Sequence, residues 1–200
     1  HALQCGGVII DSGKFDWEAA NKVNGHFADM FEPDESYHGL SYKKEFGNAA
    51  YIIKARTQLM RDFGCYPSAQ SAFYLNLGIE TLPVRMDRYF ENALKVAKHF
   101  KNSPKIASVT YPYLEGDKSF DLAKKYMPNG CCGVVSISIK GGRDAAVRFM
   151  DALTLASDEV HVADIRTCVL HPASATHRQL TDEQLEAAGI DGGMVRFSCG

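Results

Sequence analysis

The tripeptide Asn102-Ser103-Pro104 separates two hydrophobic periods, and that boundary constrains the fold more than any other feature of the chain. Ahead of it, apolar residues recur at helical spacing. Behind it come four β-rich runs, IASVTY, CGVVSISI, a segment within RTCVLHP, and MVRFSC, separated by the helical patterns DKSFDLAKKYM, RDAAVRFMDALTL and TDEQLEAAGI. This alternation predicts an α/β chain whose second part is an α+β layer domain, one sheet covered on one face by helices. In the last helical pattern, Thr181 and Gln184 stand at capping-box spacing and Gly189 supplies a stop.

The first hundred residues read as strand, loop and helices. Residues 6–10 form a short apolar run ended by Asp11-Ser12-Gly13, which predicts a buried strand and a turn. Asp16 is a cap for a helix over 17–23, and residues 26–47 show no sustained period. Asn48 is placed to cap a one-sided helix over 48–63, with Gly64 as its stop. Ser68 starts a helix to residue 82, and a third runs to residue 100 with Met86, Phe90, Ala93, Leu94, Ala97 and Phe100 on one stripe. Pro83 lies between these two. It has no amide hydrogen and its ring excludes the carbonyl four residues back, so a break near Leu82 is expected.

Composition excludes several classes. Hydrophobic residues make up 46% of 200 and charged residues 23%, as in a soluble globular chain able to bury a core. The net charge of −2 offers no basic stripe for nucleic acid, and no apolar run nears the roughly 20 residues that span a bilayer. Six cysteines occur without a CxxC, which points to reduced thiols in a cytoplasmic protein. Cys131-Cys132 opens a strand and reads as packing. In TCVLHPASATH, His171 and His177 flank a short loop, with Arg196 nineteen residues beyond in MVRFSCG. On residue types alone, a metal site, a proton shuttle and an anion site all remain open here.

The strings GGVIIDSGKFDW, PDESYHGLSY, GIETLPVRMDRYFENALKVA, HPASATH and MVRFSCG occur in that order along essentially the whole chain. Together they resemble the Cys/Met-metabolism family of pyridoxal-phosphate enzymes, the first two strings its sulfhydrylase branch. The resemblance implies the type I fold of pyridoxal-phosphate-dependent transferases, with residues 1–82 as the end of the large cofactor domain and 83–200 as the C-terminal domain. It implies that the Schiff-base lysine belongs to a Ser-x-Thr-Lys string just upstream of the Gly-Gly run, so the chain is expected to begin after it. Lys14 does not match that string. No catalytic, cofactor-binding or metal-binding residue is therefore assigned, and the chain on its own is expected to be inactive.

For the complete enzyme the resemblance implies pyridoxal 5'-phosphate as cofactor, a homotetramer, and a need for the N-terminal half. The implied reaction is γ-replacement of the acetate of O-acetyl-L-homoserine by sulfide or a thiol, giving homocysteine or methionine. A γ-lyase or cystathionine-type activity is the alternative within the family; an inactive fragment or interaction domain is the alternative outside it.

The implied substrate-binding residues are Arg196, Thr176 and His161. Arg196 matches the family's carboxylate-binding arginine, a guanidinium suited to two parallel charge-assisted hydrogen bonds. Thr176 matches a threonine that supports that arginine, and His161 stands where relatives carry Ser or Asn, a departure. Val160 before it suits a substrate lacking a distal amine. His171 and His177 become the flanks of a structural loop. Tyr37 and His38 either line the substrate entrance or pack against a neighbouring subunit.

Overall fold

In the computed structural model, which describes residues 3–200, the chain divides into two units, one Gly6–Phe73 and the other Tyr74–Gly200 together with the described residues up to Cys5. The first unit is built from short helices. In α1 (Trp17–Asn24) the Asp16 carboxylate accepts the Ala19 N–H at 2.9 Å, and Gly25, at φ 70°, ends the helix as expected. The Asp11-Ser12-Gly13 turn runs so close to Asn48 that a Cβ on Gly13 would lie 2.6 Å from the Asn48 carbonyl oxygen, so this turn requires glycine. Residues 26–47 hold two 3-10 turns, Ala28–Met30 and Glu35–Tyr37, before α2 (Tyr42–Phe46). A small core of Met30, Tyr42 and Ala50 forms against Trp17, Leu40, Tyr51 and Ile53.

Two expectations fail in this unit. Residues 6–10 pair with no strand among the described residues, and Val8 and Ile10 are 82% and 88% exposed. A strand needs a neighbour to satisfy its backbone groups, and apolar content alone does not provide one. The helix expected over 48–63 is not continuous. It consists of α3 (Ala50–Lys54), a π-helical stretch Ala55–Met60, and α4 (Arg61–Phe63), closed by Gly64 at φ 66°. Asn48 lies instead in a 3-10 turn, Gly47–Ala49. The Thr57 hydroxyl bonds back to the Ile53 carbonyl at 3.0 Å, and the Tyr37 hydroxyl donates to the Thr57 carbonyl at 2.5 Å. Both bonds compete with the regular helical ladder at the point where it widens.

Helix α5 (Ala69–Glu80) starts where Ser68 Oγ accepts the Ser71 N–H at 3.1 Å. It ends before Thr81, and α6 (Leu82–Lys101) begins with Pro83 in its first turn, so the expected break is present. Arg85 holds the broken point together. Its Nη2 donates to the Gly78 carbonyl at 2.6 Å, its Nε to Thr81 Oγ1 at 3.1 Å, and its Nη1 to the Tyr89 hydroxyl at 3.2 Å. A carbonyl freed by the break is thereby satisfied.

The second unit is organised by a five-stranded mixed sheet, β1 (Ile106–Thr110), β2 (Val134–Ile139), β3 (Ser157–Asp158), β4 (Cys168–Leu170) and β5 (Met194–Ser198), in the order β1-β2-β5-β4-β3. Pairing is antiparallel except between β3 and β4, and the two-residue β3 is the strand the sequence pattern does not reveal. Helices α7 (Phe120–Tyr126), α8 (Gly142–Asp151) and α9 (Asp182–Ala187) fill the connections. The capping box at Thr181 and Gln184 forms as read.

Alternation decides the two faces of this sheet. Val135, Ile137, Val195 and Phe197 are buried with Ala93 and Ala97 of α6 and Ala146 of α8 in one core. The Phe197 ring lies 5.3 Å from that of Phe100 and 6.0 Å from that of Phe149. Burying each large apolar side chain contributes about 1.5–3 kcal/mol, and the alanines let the helices approach closely. Arg196 stands between Val195 and Phe197, so its side chain must leave by the opposite face.

Candidate functional site

Arg196 pairs with Ser136 of β2 on one side and with Leu170 of β4 on the other. Directly opposed residues share a face, so Ser136, Leu170, Ser198 and Cys168 line the same surface as Arg196. The connection from β3 to β4 crosses this surface. It is tied down by the Glu159 N–H to the Val169 carbonyl at 3.0 Å and by the Ala163 N–H to Ser198 Oγ at 2.9 Å. Ala163 adopts φ 58°, a left-handed conformation unusual for a residue with a Cβ, and its carbonyl accepts from the Tyr89 hydroxyl at 3.3 Å.

The Arg196 guanidinium is half used. Nη2 donates to the Val160 carbonyl at 2.7 Å, while Nε is buried and has no hydrogen-bond partner. A buried cationic donor without a partner costs about 1–3 kcal/mol or more, and a carboxylate is the ligand that relieves it. Nε is therefore the one donor of this edge left without an acceptor.

The other two residues assigned to the substrate lie differently. Thr176 Oγ1 is paired with His177 Nδ1 at 2.9 Å, and no bond joins it to Arg196. His161 is partly exposed, with Nδ1 3.1 Å from Glu159 Oε2 and 3.8 Å from Asp164 Oδ2. Arg166 Nη2 reaches the same two carboxylates at 3.4 and 3.3 Å. The Arg166 backbone N–H donates to Asp164 Oδ1, and this bond more than any other holds the Asp164 carboxyl below its ordinary range, against the effect of burial and with help from the guanidinium. Burial, with Glu159 and Asp164 nearby, pushes the Cys168 thiol up. Within EVHVADIRTC a titratable or thiol group stands at nearly every second or third place, a pattern that could have drawn attention to Glu159, Asp164 and Cys168.

His171 and His177 do not converge. His171 is buried, with Nε2 2.9 Å from the Gly192 carbonyl, which can only accept, so Nε2 donates there, and Nδ1 has no hydrogen-bond partner. The loop after it is folded by its own backbone and by Arg143, which donates to the Ala173 carbonyl at 2.8 Å and to Asp182 at 2.7 Å. Cys131 and Cys199 are buried, their thiols pushed up by desolvation, that of Cys199 to about 11, which makes them poor nucleophiles. Tyr37 is committed to Thr57. No helix among the described residues is long and apolar enough to cross a membrane.

Comparison with known proteins agrees with this architecture. The chain is 43% identical over 200 residues to a homocysteine synthase of Schizosaccharomyces pombe and 44% identical over 209 residues to an O-acetyl-L-homoserine sulfhydrylase of Leptospira meyeri. Each alignment covers 100% of this chain and 46% of the relative, so the chain spans about half the length of the relatives it matches. A crystal structure described as an O-acetylhomoserine (thiol)-lyase from Campylobacter jejuni, with N'-pyridoxyl-lysine-5'-monophosphate, superposes with a TM-score of 0.78 at 34% identity, covering 90% of this chain and 42% of that one. The α/β architecture with its mixed sheet is thus that of part of a type I pyridoxal-phosphate enzyme. Since the family model for Cys/Met metabolism PLP-dependent enzymes matches from residue 1 to residue 200, the chain belongs to that family.

Proposed function

We propose that this chain supplies the substrate-carboxylate grip of an enzyme that replaces the acetate of O-acetyl-L-homoserine with sulfide or a thiol. The observation that carries the reading is the half-used guanidinium of Arg196, bonded to Val160 through Nη2 and left without an acceptor at a buried Nε. An incoming α-carboxylate takes Nε and competes with Val160 for Nη2, which fixes the amino-acid end of the substrate and the direction of its Cα–H bond. In this reading Thr176 turns from His177 to brace Arg196, and His161 offers its remaining ring nitrogen beside the carboxylate. Relatives named for homocysteine synthesis and O-acetylhomoserine sulfhydrylation support the choice of substrate.

Pyridoxal phosphate would supply the electron sink of this chemistry. The residues described here fit the substrate side of it. Lys14 is exposed and lacks the Ser-x-Thr-Lys context, so it is not assigned the imine. We extend the proposal to residues 1–82 as part of the cofactor domain, 83–200 as the C-terminal domain, and a cytoplasmic homo-oligomer as the working form. Support for assembly comes from Val8, Ile10, Phe63 and Tyr66, apolar side chains exposed in the first unit.

The test is product analysis on the complete enzyme given O-acetyl-L-homoserine with and without sulfide. Homocysteine and acetate formed only with sulfide are expected. Formation of 2-oxobutanoate and ammonia at the same rate in both would make it a γ-lyase.

A further inference from the structure

The connection that covers Arg196 also gathers four donors of the kind that hold transition metals. Glu159 Oε2, His161 Nδ1, Asp164 Oδ2 and Cys168 Sγ lie within 4.8 Å of one another. His161 Nδ1 is 3.1 Å from Glu159 Oε2 and 3.8 Å from Asp164 Oδ2, and Cys168 Sγ is 3.8 Å from Glu159 Oε2. Bond lengths of about 2.3 Å to sulfur and 2.0–2.2 Å to nitrogen and oxygen set tetrahedral donor separations of roughly 3.3–3.7 Å. These three separations, 3.1–3.8 Å, bracket that range, and the other pairs lie within 4.8 Å. We propose that Glu159, His161, Asp164 and Cys168 form a binding site for a zinc-type divalent ion.

The donor set selects the class of ion. Calcium and magnesium prefer oxygen, whereas one imidazole and one thiol beside two carboxylates suit zinc or cobalt. The backbone already holds these side chains in place. Cys168 lies in β4, and the other three residues lie on a connection pinned to Val169 and Ser198, so little ordering remains for the ion to impose. The place also calls for positive charge, since the Asp164 side chain is 2% exposed and Arg166, itself 58% exposed, reaches in toward both carboxylates from the open side. On binding, the Cys168 thiol proton passes to solvent and Arg166 moves outward to the oxygens that do not touch the ion. A divalent ion with Arg166 then balances two carboxylates and a thiolate. The inference shares His161 with the proposed substrate site, through the other ring nitrogen, but it rests on these four donors and not on the proposed reaction.

The complete protein, stripped with a chelator and dialysed against buffered zinc, is expected to retain one ion per chain. Zinc X-ray absorption should show one sulfur at about 2.3 Å, and cobalt in its place should give the intense visible bands of a tetrahedral thiolate centre. Cys168→Ser and His161→Ala should each weaken zinc by more than the roughly 10–100-fold cost of losing an outer-shell partner. Cys132→Ser, an exposed thiol outside the cluster, should leave binding unchanged. His161 is partly exposed, so its alanine variant tests the site without disturbing the core. Absence of binding, zinc without sulfur in its shell, or affinity unchanged in either ligand variant would overturn the proposal.

Discussion

Arg196 and Val160 are joined across the face of the sheet that the helices leave uncovered, Nη2 to carbonyl at 2.7 Å, and this bond turns the guanidinium so that Nε is buried without a partner. In the complete enzyme, Arg196→Lys keeps the charge and loses the fork. Steady-state kinetics with O-acetyl-L-homoserine should show a higher KM and a kcat/KM lower by about 1.5–3 kcal/mol. Unchanged kinetics would remove Arg196 from the site.

Ala163 holds the same connection in place at φ 58°, where a Cβ is crowded by its own backbone. Glycine relieves this crowding and keeps both backbone bonds, to Ser198 and to Tyr89. Ala163→Gly should stabilise the folded state by roughly 0.5–1 kcal/mol, less than the full left-handed penalty because glycine also loosens the unfolded chain. Urea unfolding measures it, and a loss of stability would show that the Ala163 methyl packs favourably.

Arg85 bridges the break between α5 and α6 through the Gly78 carbonyl, Thr81 and Tyr89. Arg85→Met keeps much of the side-chain bulk and removes every donor. A destabilisation of about 1–2 kcal/mol is expected from the three lost bonds, with the Gly78 carbonyl keeping only the Thr81 hydroxyl at 3.5 Å. The double variant with Thr81→Ala should be less than additive, since both single changes break the same Nε bond.

Asp164 gives a pH dependence whose sign follows from its lowered carboxyl pKa. The folded value lies below the ordinary 3.8, so the stabilisation is present above that value and disappears as the pH falls through 3.8 towards the folded value. In metal-free buffer, the stability gap between wild type and Asp164→Asn should hold steady near neutrality and shrink below pH 3.8. A gap independent of pH would trace the loss to altered hydrogen bonding alone.

Where local signals agreed with each other, the sequence and the structure coincide. Asp16 with Gly25, Thr181 with Gln184, and Pro83 at the start of α6 act within one or two turns of chain, and no distant residue overrides them. The runs that became β1, β2, β4 and β5 were legible because each is short, apolar and bounded by turns, and Arg196 stood out through its string. Strand character in residues 6–10 was not decidable locally, because a strand exists only where another backbone meets it. The π-helical stretch was equally hidden, since the Tyr37 hydroxyl that meets the Thr57 carbonyl within it comes from twenty residues away. Tertiary structure alone decided what surrounds Arg196. Strand alternation sent its side chain to the open face, but the order β2-β5-β4 and the path from β3 to β4 brought Val160 to Nη2 and collected Glu159, His161, Asp164 and Cys168 beside it. Such groupings depend on which strands lie adjacent, and adjacency is set by the packing of the whole sheet against α6 and α8.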